Sequence, residues 1–250
     1  MKKIYHVLPV IVIAVISFNC QKELSRNYTI PAKANNRSSP LTSTLQGNVL
    51  DENSQPAPGV TISVGSKTTT TNSKGYFRIV DALLDKNASL ITANQPGYFK
   101  AYRTFRATTG VNQVVIKLIK KILAGTVSSI TGGEVTVANG AKVLLPANGI
   151  TKAAGGAYTG DINVYTAYID PTSRDISQTI PGSFMADDKD KNRVVLSSYG
   201  MLAVELESSS GEKLQIAAGS VAALTMPIPL SISSSAPANI SLWYVDEQTG

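Results

Sequence analysis

The chain has 250 residues, 43% of them hydrophobic and 16% charged, with a formal net charge of +6. That balance suits about two folded domains of roughly 100–150 residues each and excludes a disordered chain. The basic residues are scattered, with only short pairs such as Lys120-Lys121, so there is no dense basic stripe of the kind that holds nucleic acid.

Lys2 and Lys3 open the chain, Val7 to Phe18 is almost wholly apolar, and Cys20 follows closely. A cationic head, a short greasy core and a cleavage site make a secretory signal peptide. The core is shorter than the roughly 20 apolar residues that cross a bilayer. With a cysteine at the cleavage point, the segment resembles a bacterial lipoprotein signal of the Bacteroidetes type. Ser17 and Asn19 stand where the commoner pattern has Leu and Gly or Ala. The resemblance implies a signal peptide over 1–19 and lipidation at Cys20. It also implies an outer-membrane anchor through acyl chains on Cys20, with the protein facing the periplasm or the cell surface. The alternative is an ordinary signal peptide with an incidental cysteine. Cys20-Gln21-Lys22-Glu23 also resembles a surface-export tag, and an ordinary solvated linker fits it equally well.

This leader removes familiar catalysis. The only histidine is His6, inside the predicted leader, and the only cysteine is Cys20. Ser-His-Asp and Cys-His machinery both need an imidazole to move the proton. A zinc site would have to be all-carboxylate, and no disulfide can form within the chain. Residues 20–43 then read as a polar, flexible tether, because Asn35-Asn36-Arg37-Ser38-Ser39-Pro40 has too little apolar surface to order itself.

From 44 to 118 the signal is β. Leu45 to Leu50 reads as a first strand, and Val60-Thr61-Ile62-Ser63-Val64 alternates as a half-buried strand does. Lys67 to Thr71 is rich in β-branched threonine, Tyr76 to Val80 follows a glycine turn, and Val114 to Leu118 closes the block. Asn72-Ser73-Lys74-Gly75 and Gln95-Pro96-Gly97 are turn chemistry. Short strands at this spacing indicate a β-sandwich. Gln46-Gly47-Asn48-Val49, then Pro56-Ala57-Pro58-Gly59-Val60-Thr61-Ile62, then Thr71-Asn72-Ser73-Lys74-Gly75-Tyr76-Phe77, resembles the carboxypeptidase regulatory-like domain. Asn94-Gln95-Pro96-Gly97-Tyr98 fits the stretch before that family's last strands. The resemblance implies a non-catalytic, transthyretin-like sandwich with Gly59, Gly75, Phe77 and Gly97 as its turn and structural motif residues.

The second expected domain spans 119–250. Glycines at 125, 132, 133 and 140 punctuate short apolar runs. The stretch from Gly133 to Ile150, followed by a strand over Tyr158 to Val164, resembles the opening of the β-sandwich of netrin receptors and ankyrins. Leu196 to Val204, Lys213 to Ile216, and Leu242-Trp243-Tyr244-Val245 are its expected later strands, with Trp243 in the core. The domain is expected to be incomplete at its C-terminal end.

Three groups could carry chemistry. Asp188-x-Asp190-x-Asn192, beside Asp187, copies the start of a calcium loop, but Arg193 and Tyr199 occupy the places of its turn glycine and bidentate glutamate. A solvated hairpin turn is the plainer reading. Glu205 and Glu207 share one face of a strand, as a glycosidase pair or simply as its polar face. Tyr98, Tyr102, Tyr158, Tyr165, Tyr168, Tyr199 and Tyr244 could stack on sugars or fill strands. The expectation is therefore all-β: two consecutive sandwiches after a signal peptide and tether. It is a non-enzymatic envelope protein for adhesion, scaffolding or ligand presentation, with no catalytic residues, metal or cofactor. Its partners are the membrane through Cys20 and a protein or glycan, not nucleic acid. The alternative is a carbohydrate-binding surface lipoprotein.

Overall fold

The computed structural model describes residues 38–137, 139–190 and 192–247. The leader, Cys20 and the tether up to 37 lie outside them. The chain is about 49% strand and 4% helix, an all-β, multi-sheet sandwich architecture with no barrel.

The first half consists of β1 (Pro40–Leu50), β2 (Thr61–Val64), β3 (Lys67–Thr70), β4 (Tyr76–Asp85), β5 (Ser89–Asn94), β6 (Ala101–Phe105) and β7 (Val111–Lys117). One sheet runs β4-β1-β7 and the other β3-β2-β5-β6. β1 pairs antiparallel with β4 and parallel with β7. Alternation along each strand sends one set of side chains inward. Leu45, Val49, Phe77, Ile79, Val114 and Ile116 therefore meet Ile62, Val64, Ile91 and Ala93 in one core. The core residues of this half end at Leu118.

β1 begins inside the stretch expected to be tether. Pro40 to Ser43 pair with Asp85 to Ala82 of β4. The entry is held by the Asp85 carboxylate, which accepts the Ser38 hydroxyl at 2.7 Å and the Ser39 N–H at 2.9 Å. Polar side chains hid this strand, because a ladder is made by backbone groups and only Leu41 adds apolar contact to the core.

The second half comprises β8 (Ile122–Ser128), β9 (Gly133–Thr136), β10 (Lys142–Leu145), β11 (Ile150–Lys152), β12 (Asp161–Ile169), α1 (Ile176–Thr179), β13 (Met185–Asp187), β14 (Arg193–Val195), β15 (Met201–Ser208), β16 (Lys213–Ile216), β17 (Ala223–Thr225) and α2 (Leu230–Ser233). A five-stranded sheet, β11-β16-β15-β12-β8, faces a three-stranded one, β17-β10-β9, and β13 pairs with β14 as a hairpin. Val127, Val135, Val143, Leu145, Ile162, Val164, Leu206 and Leu214 fill the second core.

Two expectations for this half are corrected. Leu196 to Val204 is not one strand: it splits, and β15 starts at Met201. Leu242 to Val245 forms no strand, and Trp243 is not in the core. A strand needs a ladder partner, and this run has none among the described residues. Its large apolar side chains stay in solvent, with Leu242 73% and Tyr244 88% exposed.

Candidate functional site

The two sandwiches are joined through Ile119, Lys120 and Lys121, and the backbone fixes this joint. Gly97, with φ +85°, closes the turn after β5, and its carbonyl accepts the Lys121 N–H at 2.9 Å. Ile119 accepts the Phe99 N–H at 2.9 Å. Glu52 adds a side-chain clasp: its carboxylate accepts Tyr98 Oη–H at 2.6 Å and Lys120 Nζ–H at 2.8 Å. The Lys120 and Tyr98 hydrogen bonds hold the Glu52 carboxyl down at about 2. The same bond to Glu52 pushes the Tyr98 phenol up to about 12.

A cleft of about 910 Å³ opens beside this joint. From the first sandwich it takes the loop from Asn94 to Tyr98, then Lys100 and Tyr102. From the second it takes β15 and β16 residues, the apolar Val143, Leu145 and Leu224, and Glu247. The charged wall follows from strand geometry. Glu205 and Glu207 lie on one face of β15, while Leu206 between them turns into the core. Lys213 of β16 stands directly across from Glu207, the position where opposite charges stabilise a sheet. Tyr165 stands across from Glu205 on β12.

Lys121 completes the cluster. Its ammonium lies 2.5 Å from Glu207, 2.9 Å from Glu205, and 4.4 Å from the Tyr165 ring centre. Lys213 binds both glutamates as well, at 2.8 Å for Glu207. Burial works against charge on Glu207, but the hydrogen bonds from Lys121 and Lys213 outweigh it and hold the carboxyl below its usual value. Burial likewise opposes charge on Lys213, and its bonds to Glu205 and Glu207 raise it well above the ordinary lysine value. Each carboxylate is thus paired with two lysines. Opposite them, burial and then a hydrogen bond to Glu247 raise the Tyr102 phenol, and Lys100 sits 5.0 Å above its ring.

The other sequence candidates scatter. Tyr158 donates to the Asp161 carbonyl at 2.6 Å, Tyr168 to Pro227 at 2.9 Å and Tyr199 to Ser235 at 2.9 Å. These three tie loops to the second sandwich. Asp188 spends its carboxylate on its own hairpin, accepting the N–H groups of Asp190 at 2.9 Å and Asn192 at 2.8 Å. Among the described residues no cluster of three metal-ligating side chains occurs. Gly59 and Gly75 sit in turns at φ +75° and +68°, and Phe77 is 1% exposed in the first core. These three are structural positions outside the cleft, and Cys20 lies outside the described residues. Lys121 and Lys213 carry no local signature of this role, because their partners are set by strand register rather than by local spacing.

No family model matches the chain. A stretch of 112 residues, 44% of this chain, is 27% identical to human cartilage intermediate layer protein 2, and it spans 9% of that protein's length. Among solved structures, a candidate carbohydrate-binding protein from Bacteroides uniformis overlaps 74% of this chain and 98% of its own, at 8% identity and a TM-score of 0.26. The Bacillus anthracis TIE protein overlaps 74% of this chain and 45% of its own, at 14% identity and 0.27. The shaft pilin SpaA of Lactobacillus rhamnosus GG overlaps 73% and 80%, at 14% identity and 0.25. Scores this low establish neither a shared activity nor a shared ligand.

Proposed function

We propose that the chain is a non-catalytic, lipid-anchored envelope protein that presents the cleft between its two sandwiches to an adhesion or scaffold partner. The observation that carries this reading is the closed charge balance of the cleft. Glu205 and Glu207 are each held by both Lys121 and Lys213, so neither is free to take or give a proton in turnover. Two rigid sandwiches with a shaped cleft suit presentation rather than chemistry. The anchor is Cys20, placed after an apolar leader. Labelling the host with palmitate tests it: wild-type protein carries label and Cys20→Ser carries none. An unlabelled wild-type protein rejects the anchor. External protease on whole cells then separates a surface position from a periplasmic one.

Sugar binding in the same cleft is the second reading. Gln95 lines the cleft, and its buried Oε1 has no hydrogen-bond donor among the described residues. An acceptor left in that state costs about 1–3 kcal/mol, which a ligand hydroxyl would relieve. Tyr98 and Tyr102 beside it offer ring faces. A glycan array tests this: retention that is lost in Tyr102→Ala supports it, and uniform absence of retention rejects it.

A further inference from the structure

The first sandwich has an open seam where β6 edges one sheet and β7 edges the other. Exposed sheet edges invite unwanted pairing and are usually covered. Here residues 170–182 of the second half cover them. Gly182 donates its N–H to the Tyr102 carbonyl at 2.6 Å and accepts the Thr104 N–H at 3.1 Å. Lys117 of β7 binds Asp175 at 2.5 Å. The cover leaves a pocket of about 330 Å³, lined by Arg103, Thr104, Phe105, Gln113, Ser177 and Gln178 among others.

Beside that pocket one hydroxyl lacks a partner, and one guanidinium is largely unused. Thr104 Oγ1 is buried without a hydrogen bond. Arg103 makes one bond, from Nη1 to the Ile180 carbonyl at 3.4 Å, and has no ion pair among the described residues. A guanidinium carries five donors in a planar fork, so most of its capacity is unused. Burial pulls its proton affinity below the ordinary arginine value, yet arginine stays charged in proteins. The acid nearest in sequence to the pocket wall, Asp175, is already taken by Lys117 and Ser173.

From this geometry we propose that the seam pocket is a binding subsite for a carboxylate-bearing sugar unit, a hexuronate. Arg103 takes the carboxylate in bidentate fashion. With Lys117 committed to Asp175, the pocket offers one net positive charge, which fits a monoanion rather than a phosphate dianion. Gln113, Ser177 and Gln178 supply neutral hydroxyl and amide groups suited to ring hydroxyls, and Phe105 supplies an aromatic face for the C–H side. The volume is at the low end of the ~300–1,000 Å³ range of small-molecule sites, room for a single ring. The site is separate from the cleft between the sandwiches.

The probes are D-glucuronate and D-galacturonate, titrated into the intact ¹⁵N-labelled protein, with glucose, galactose and acetate as comparators. The expected result is a saturable shift of the Arg103 Nε–H and Thr104 amide signals by at least one uronate, at least tenfold tighter than by any comparator. Arg103→Gln should weaken it tenfold or more. Gln178→Ala, which removes a partly exposed amide from the pocket wall, should weaken it severalfold in a protein with an otherwise unchanged spectrum, so the test stands even if Arg103→Gln fails to fold. Equal affinity for neutral sugars, equal affinity for acetate, binding unchanged in both variants, or no shift by either uronate would overturn the proposal. A silent seam beside a responsive cleft would sink this inference and leave the cleft reading intact.

Discussion

Replacing Gly75 and Gly59 one at a time with alanine separates two physical costs that the sequence motif treats alike. Both glycines have positive φ, +68° and +75°. An L-residue in that region costs about 1–2 kcal/mol. At Gly59 a new Cβ meets nothing within 4 Å, so Gly59→Ala should cost only that. At Gly75 a Cβ would lie 2.4 Å from the Val49 carbonyl oxygen and 3.1 Å from the Ala57 nitrogen. Neither backbone atom can yield alone. Val49 donates to the Gly75 carbonyl at 2.8 Å and accepts the Ala57 N–H at 2.9 Å. Relieving the clash therefore loosens two hydrogen bonds, each worth about 0.5–1.5 kcal/mol. The expected total for Gly75→Ala is about 2–5 kcal/mol. For a domain of this size about 1 kcal/mol shifts the melting point by about 4–8 °C. Gly75→Ala should then lower the first-sandwich transition by at least about 8 °C, clearly more than Gly59→Ala. Thermal unfolding followed by circular dichroism reads both. Equal shifts for the two variants, or a milder effect at Gly75, would refute the reasoning.

Three further outcomes follow from the same structure. Phe77→Ala should cost about 3–5 kcal/mol in denaturant unfolding, because the ring is 1% exposed among the core residues of both sheets. The Tyr98 phenol should titrate near 12 by its ultraviolet absorbance and fall toward about 10 in Glu52→Gln. Glu207 is depressed in the folded state, so its ion pairs stabilise above the ordinary glutamate value of 4.5 and are lost as pH falls through the lower folded value. Lys121→Met removes one of its hydrogen bonds, so the acid limb of a melting-point profile should move to higher pH. An unmoved limb means that the cluster does not couple to folding.

Much of the first sandwich was readable from local pattern. Ile62 and Val64, then Phe77 and Ile79, alternate inward as period-two strands must. Asn72 was readable as a turn residue because its side chain works locally: Oδ1 accepts the Lys74 and Tyr76 N–H groups at 2.9 and 3.0 Å. β6 was hidden. All five of its residues are half-buried, because a second strand, the 180–182 cover and the cleft enclose it together, and this erases the alternation. The cleft itself was legible only in Tyr98, Tyr102, Glu205 and Glu207. That Lys121 from the joint and Lys213 from the next strand neutralise the glutamates depends on register and on a 2.9 Å backbone bond to Gly97, which local spacing does not encode. The failed strand at Leu242 to Val245 has the same origin: an apolar run shows what could pair, and the partner is a non-local matter.

The most direct measurement is recovery of substrates after contact with the intact protein. Defined oligosaccharide and peptide libraries are incubated with it and compared by mass before and after. Because Glu205 and Glu207 are tied up by Lys121 and Lys213, the account predicts that every library member returns unaltered. A cleaved or transferred product that vanishes in Glu207→Gln would contradict it.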